Sequence, residues 1–261
     1  MNRSLAFAAV LAVILAGMAL AVWRVGADDN IYVRDDGSID PSTAPITTSD
    51  NITYTLTADI ISSVLVIERN NITVDGNGHM VAGAPNGIRL TNISYVRIEN
   101  TEVEGCSYGI ILQDFCTNNV IIGNNITANT QGISLYSNCS NNTIAGNNIT
   151  DSTMFGIHFS SSSDNFIYGN NFMNNANQTR SDASTNTWDD GIHGNYWSNY
   201  SGADANGDGI GDMPYMIDSS NQDRYPFMNV IPEFTSFTML FLFCAATMVV
   251  VFHRKKTTKR H

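Results

Sequence analysis

Asn119-Val120-Ile121-Ile122-Gly123-Asn124-Asn125, Asn142-Thr143-Ile144-Ala145-Gly146-Asn147-Asn148 and Asn165-Phe166-Ile167-Tyr168-Gly169-Asn170-Asn171 superpose on one another at a spacing of 23 residues. A second marker recurs in the same stretch as Gly87-Ile88-Arg89-Leu90, Gly109-Ile110-Ile111-Leu112, Gly132-Ile133-Ser134-Leu135 and Gly156-Ile157-His158-Phe159, at spacings of 22, 23 and 24. A unit this short holds a few three- to five-residue strands between Gly and Asn turns, and it cannot bury its own apolar face. Stacking solves that problem, because each coil lies about 4.8 Å from the last and pairs every strand in parallel.

The period therefore predicts an all-β, single-stranded parallel β-helix of roughly 22–24-residue coils. Identical positions form inward columns: Ile88, Ile110, Ile133 and Ile157; Leu90, Leu112, Leu135 and Phe159; Ile121, Ile144 and Ile167; Ile126, Ile149 and Phe172. Asparagine suits the corners, since a stacked carboxamide donates to one neighbouring coil and accepts from the other, and Asn tolerates left-handed backbone. Asn125 and Asn148 are expected on such a ladder. A leucine-rich repeat would keep one asparagine and a denser leucine frame per unit.

The flanks divide the rest. Asp28 to Asn70, with strands expected over Thr53 to Ile60 and Ser63 to Ile67, reads as a cap and first coil, and residues 71–190 as the repeats. Residues 191–231, aromatic and rich in Gly and Asp, close the far end, whose last coil would otherwise expose core and strand edge. Residues 1–27 combine a charged start, an apolar run from Leu5 to Trp23 and small residues at Val25-Gly26-Ala27, the pattern of a secretory signal, with an uncleaved anchor as the alternative. Phe234 to Phe252 is a second apolar segment, followed at once by Arg254, Lys255, Lys256, Lys259 and Arg260, which fixes the tail on the cytoplasmic side. Both ends place the body on the extracellular face of the membrane.

Charge is segregated along the chain. All 24 acidic residues lie between Asp28 and Glu233 against six arginines and no lysine, a net of 18 negative charges in the body. Such a surface repels phosphate backbones and excludes nucleic acid as a partner. Cys106, Cys116 and Cys139 are too few and unevenly matched for a disulfide framework. Cys116 and Cys139 share a column, either as a disulfide or as two stacked thiols.

Four groups of residues carry candidate chemistry. Asp204, Asn206, Asp208 and Asp212 with the Ile210 carbonyl follow the spacing of a calcium-binding loop, with Gly209 at the sixth position and Tyr215 where the bidentate glutamate would stand. Asp189 and Asp190 with His193 offer paired carboxylates for acid and base work, crowded into one turn. His79, His158 and His193 with Met154, Met173, Met213 and Met216 are the copper-type donors, without a tight cluster in sequence. Asn51, Asn71, Asn92, Asn138, Asn141, Asn177 and Asn199 start glycosylation sequons, as do Asn125 and Asn148.

Ile31-Tyr32-Val33-Arg34-Asp35-Asp36-Gly37-Ser38-Ile39-Asp40-Pro41, the Gly-Asn-Asn repeats and Gly194-Asn195-Tyr196-Trp197-Ser198-Asn199-Tyr200 together resemble archaeal surface proteins with NosD-like right-handed β-helix domains. The tail of residues 232–261, opening on Pro232-Glu233-Phe234, resembles a PEF-CTERM sorting signal. The resemblance implies a right-handed coil, display on the cell envelope and processing by an archaeosortase. The acidic pair and His-Gly resemble motifs of β-helical polygalacturonases, which spread them over successive coils. The expectation is a non-enzymatic surface module that binds envelope polysaccharide or surface-layer proteins, with calcium as a structural ion. The alternatives are a carbohydrate-active hydrolase or lyase and a copper-handling accessory protein. Fold alone does not choose among these.

Overall fold

The computed structural model of the chain describes residues 30–232. They wind into a right-handed parallel β-solenoid of about six turns with coils of about 23 residues. A regular coil contains three strands, as in Val120–Ile122, Asn125–Thr127 and Gln131–Tyr136. Corresponding strands build a first and a second sheet of seven strands each, and the six-residue strands build a third sheet of eight.

Register follows the repeat. Ile110 pairs with Ile88 and Ile133, Leu135 with Phe159, Ile121 with Ile144, and Ile149 with Phe172. Each of these side chains is fully buried, so the expected columns point inward. Alternation does the sorting, because successive side chains leave opposite faces of a strand. Burying a side chain of this size is worth roughly 1.5–3 kcal/mol. Stacked columns thus give every coil a reason to sit on its neighbour.

The glycine of the Gly-Ile marker answers a close approach between coils. A Cβ on Gly109 would meet the Gly132 carbonyl oxygen at 2.6 Å, and one on Gly132 the Gly156 oxygen at 2.5 Å. No larger residue fits while the sheet keeps its spacing.

Two asparagine ladders run through the corners. In one, Asn119, Asn142 and Asn165 each donate Nδ2 to the Oδ1 of the next member, ending on Asn186. In the other, Asn124, Asn147 and Asn170 do the same toward Asn195. The buried ladder residue is therefore the first asparagine of each Gly-Asn-Asn, not Asn125 or Asn148. Asn125 is exposed and Asn148 half-buried. Each is the first residue of a strand whose second residue, Ile126 or Ile149, is buried, so the asparagine faces away from the core.

The first coil is more broken than its sequence suggests, with strands Thr53–Leu56, Ile60–Ile61 and Leu65–Ile67. Ile31–Val33 pairs in parallel with Leu65–Ile67 and opens the eight-stranded sheet, while Ile46–Thr47 pairs antiparallel with Thr53–Leu56. Parallel stacking continues past the repeats, since Tyr196–Trp197 pairs with Asn171 and Phe172. Trp188 and Trp197 are buried over the last coil, Trp197 stacked on Phe172 at 4.4 Å and on Tyr215 at 4.2 Å. Cys106, Cys116 and Cys139 are free and buried, so the stacked pair is held as thiols. The signal segment 1–27, the apolar span and basic tail, Glu233 and Phe234 lie outside the described residues.

Candidate functional site

Every second residue of the third sheet faces outward, and near its last coils these positions gather unusual chemistry. Ser134 pairs with His158 and His158 with Arg180; Tyr136 pairs with Ser160 and Ser160 with Asp182. Gln131 starts its strand beside Tyr108 in one neighbour and Phe155 in the other. Parallel, in-register stacking brings residues 22 to 27 apart in sequence into hydrogen-bond reach.

Gln131 is the hub. Its Oε1 accepts from Ser134 Oγ at 3.0 Å and from Tyr136 Oη at 2.8 Å, and His158 Nδ1 lies 3.1 Å away. His158 Nδ1 is also 3.0 Å from Tyr136 Oη, and Nε2 is 3.1 Å from Asp182 Oδ2. Arg180 Nε donates to the same Asp182 oxygen at 2.6 Å, and the guanidinium holds that carboxyl below its ordinary range. Burial pushes the Tyr136 phenol up, so it remains a neutral donor. Aromatic edges frame the network: Tyr108 meets Tyr136 edge-on at 6.2 Å, and the His158 ring lies 5.2 Å from Tyr136 and 5.0 Å from Phe155.

This patch opens on a cleft of about 280 Å³ lined in part by Phe155, Arg180, Asp182 and Asp218. A neighbouring cleft of about 390 Å³, between the last coil and Tyr215-Met216-Ile217, shares Asn177, Thr179 and Ile217 with it. Aromatic faces next to a few fixed hydrogen-bonding groups suit a ligand rich in hydroxyls. Both imidazole nitrogens of His158 are engaged by protein groups, Nδ1 with Tyr136 and Gln131 and Nε2 with Asp182, so the ring is fixed in its orientation.

The sequence-derived candidates fall elsewhere. Asp189 is buried and receives Arg224 Nε at 2.9 Å and Nη2 at 2.5 Å. Burial works to raise its carboxyl, yet these bonds and the Gly191 N–H leave it below its ordinary value. Asp190 Oδ1 accepts the N–H groups of Ile192 and His193, and the His193 ring stacks on Phe227. The pair thus folds one turn of the closing segment, and the two carboxylates face different partners.

In the Asp/Gly loop, Asp204 accepts N–H bonds from Gly207, Asp208 and Gly209, curling the backbone around its carboxylate. Asp212 accepts from Ala205, and Asn206 Nδ2 donates to Asp208. Among the described residues no three His, Cys, Asp or Glu side chains converge on a cation-sized space. The imidazoles are dispersed, His79 beside Asp59 and His193 beside Asp190. Met154 Sδ is 4.0 Å from Gln131 Nε2, the carboxamide whose Oε1 lies 3.1 Å from His158 Nδ1. This donor set does not fit a closed copper site, which needs its ligands on one point.

Five sequon asparagines, Asn51, Asn71, Asn92, Asn138 and Asn141, sit exposed at corners with left-handed backbone. Asn177 and Asn199 are exposed as well. The outward network around Gln131 was missed in the sequence. Its signal was present in the third position of the Gly-Ile marker, which runs Arg89, Ile111, Ser134, His158, but reading it needed the register of Tyr136 and Asp182.

Residues 18–202 match the family model NosD, described as periplasmic copper-binding protein. Among solved structures, the periplasmic alginate epimerase AlgG is similar at 21% identity and a TM-score of 0.46, covering 65% of this chain and 41% of the epimerase. A double mutant of that epimerase aligns at 16% identity and a TM-score of 0.35, over 50% of this chain and 47% of the other. The chain thus spans less than half the length of the epimerase it aligns with. No curated protein matches it in sequence.

Proposed function

The chain belongs to the NosD family, and from that premise we propose that it is an exported β-helical binding module whose ligand is a glycan. The observation that carries this reading is the Gln131 network: Tyr136, His158 and Asp182 fixed to one another on the outer face of the third sheet and framed by Tyr108 and Phe155, with Phe155 and Asp182 also lining a cleft. Placement on the extracellular side of the membrane suits the family's periplasmic description. Envelope polysaccharide is the natural ligand of such a face, and surface-layer proteins are further neighbours. The pre-pairing of Arg180 with Asp182 and the acidic body favour neutral sugars. A calcium ion at Asp204, Asn206, Asp208, Asp212 and the Ile210 carbonyl would stiffen the closing segment, and the curled loop around Asp204 supports that role.

The test is titration calorimetry of the full-length chain with neutral and uronate-containing oligosaccharides. Binding of a neutral glycan, weakened about tenfold by Tyr136→Phe, a loss of about 1.4 kcal/mol, is the expected result. Absence of binding to every glycan, or binding indifferent to Tyr136→Phe and His158→Ala, would overturn the reading.

A second reading, copper handling, draws on the family description. His158 and Met154 each meet Gln131, and among the described residues no three His, Cys, Asp or Glu side chains complete a site there, so no step is routed through the ion. Retention of stoichiometric copper by the purified chain, lost on His158→Ala, would move this reading to the front. A hydrolase or lyase would instead release reducing ends from acidic polysaccharide and lose that activity on Asp190→Ala.

A further inference from the structure

The corner between the third sheet and the next coil's first sheet is built on one rule. The residue two places before each of the six parallel-stacked strands of the first sheet adopts left-handed backbone, with φ between 56° and 62°. Those residues are Asn51, Asn71, Tyr95, Asn118, Asn141 and Asp164. Asn and Asp take this conformation readily, whereas a bulky side chain there is an outlier. Tyr95 breaks the rule. Phe115 does the same in the adjoining column, at φ 64°, where its neighbour one coil on is Asn138 at φ 63°.

Neither ring earns its place within the fold. Tyr95 is 60% and Phe115 61% exposed, and among the described residues neither enters a ring contact. Their hydrogen bonds are made by the backbone, Tyr95 N–H donating to Thr117 O and Phe115 N–H to Ser137 O. The chain thus places two aromatic rings in water, on adjacent coils of one corner, where its own repeat shows that asparagine would serve. Strained backbone combined with exposed aromatic surface points outward, to something that covers it.

What covers it is indicated by the rest of the corner. On the following coils it becomes a groove of about 290 Å³ lined by Asn138, Ser140, Ser161, Ser163, Asp164 and Ala183. Hydroxyls, a carboxamide and one carboxylate without any cation form a lining for hydroxyl groups. Asp114 and Asp164 on this corner and the acidic body repel anionic chains. Coils advance by about 4.8 Å each, so aromatic platform and polar groove lie in series along the solenoid axis.

We propose that this corner is a binding track for a neutral oligosaccharide lying parallel to the axis, with Tyr95 and Phe115 stacking on sugar faces and the Asn138 to Asp164 groove taking the hydroxyls of the following units. The inference rests on the glycan-binding reading and deepens it by naming the sugar class and a second surface, distinct from the Gln131 network.

The test uses the full-length chain with cellohexaose and chitohexaose as neutral probes and a galacturonate hexamer as the anionic one. Asn92, Asn138 and Asn141 begin sequons on this corner, so the protein is made in a host without N-glycosylation, which leaves the track clear. The decisive variant is Tyr95→Asn with Phe115→Asn, which installs the residue that neighbouring coils use. It is expected to unfold at a temperature equal to or above the parent and to bind the neutral hexamer at least tenfold more weakly, while Tyr95→Phe binds as the parent does. Unchanged binding in the double variant, with loss on Tyr136→Phe, overturns the track and leaves the glycan reading standing. A lower unfolding temperature would assign the rings to the fold and also overturn it. Binding of the anionic hexamer alone overturns the proposed class, and failure of the parent chain to bind any hexamer defeats both readings together.

Discussion

Asp223 stands where the next asparagine of a ladder would be: its Oδ2 accepts the Asn195 N–H at 2.7 Å and Asn195 Nδ2 at 3.3 Å. It also takes Trp197 Nε1 at 2.8 Å and, through Oδ1, the Tyr225 N–H at 3.0 Å. Two residues earlier, Asn221 ends the other ladder by accepting the Asn186 N–H at 2.8 Å. One tripeptide therefore terminates both corners of the solenoid and satisfies polar groups that the last coil would leave buried and unpaired.

The closing carboxylate makes stability depend on pH. Burial pushes the Asp223 carboxyl up to about 6 against its ordinary 3.8, although four donors oppose the shift. A folded value above the unfolded one stabilises the fold fully below about pH 4 and loses that contribution as pH rises through 6. About two units correspond to about 3 kcal/mol. Denaturant unfolding followed by Trp188 and Trp197 fluorescence should show the midpoint falling between pH 4 and 6 more steeply in the parent than in Asp223→Asn. Equal slopes in the two proteins would refute the assignment.

Ladder position should separate two adjacent asparagines. Asn147 donates to Ile121 O, Ala145 O and Asn170 Oδ1 and accepts from Asn124. Asn147→Ala strands buried groups on two coils, each costing about 1–3 kcal/mol. Asn125→Ala, at an exposed position, should stay within about 0.5 kcal/mol. Urea midpoints of the two variants give the comparison, and equal losses would mean that the ladder is misplaced.

That contrast marks the limit of what the residues disclosed beforehand. The period and the inward Ile and Leu columns were legible because alternation and a 23-residue spacing leave one way to hide Ile110, Ile133 and Ile157 together. Which asparagine of Asn124-Asn125 turns inward was not, since the chain bends between them and the two-residue period fails at a corner. The Gln131 network was hidden for another reason. His158 and Asp182 look like isolated polar residues until parallel register sets them side by side. Asn221 and Asp223 carry no repeat signature, because they end the ladders from a segment that follows its own path.

Glycine in the third sheet should resist substitution. Gly132→Ala would place a methyl group 2.5 Å from the Gly156 oxygen and 3.0 Å from Ile149 Cγ2, so one coil must move off the next. Overpacking of this kind costs about 1–3 kcal/mol. The neighbouring outward change Ser134→Ala instead removes one hydrogen bond to Gln131, about 1 kcal/mol. A calorimetric scan in which Gly132→Ala melts no lower than the parent would show that the coils are spaced more loosely.

Calcium should act on the closing segment and not on the coils. Asp204 already gathers three N–H groups of its own loop, so an ion bound there would hold a turn that abuts the last coil through Tyr200, whose hydroxyl donates to Met213 O. A ligand that binds the folded chain alone adds about 2.7 kcal/mol at a hundredfold excess over its dissociation constant. Millimolar calcium should therefore raise the unfolding temperature and EDTA reverse the gain. Asp204→Ala, and separately Asp208→Ala, should melt at the same temperature with and without the ion. Magnesium should give less, since it demands tighter octahedral geometry and gives up its water reluctantly. An unfolding temperature indifferent to calcium in the parent would leave the Asp204 loop as a turn held by its own backbone bonds.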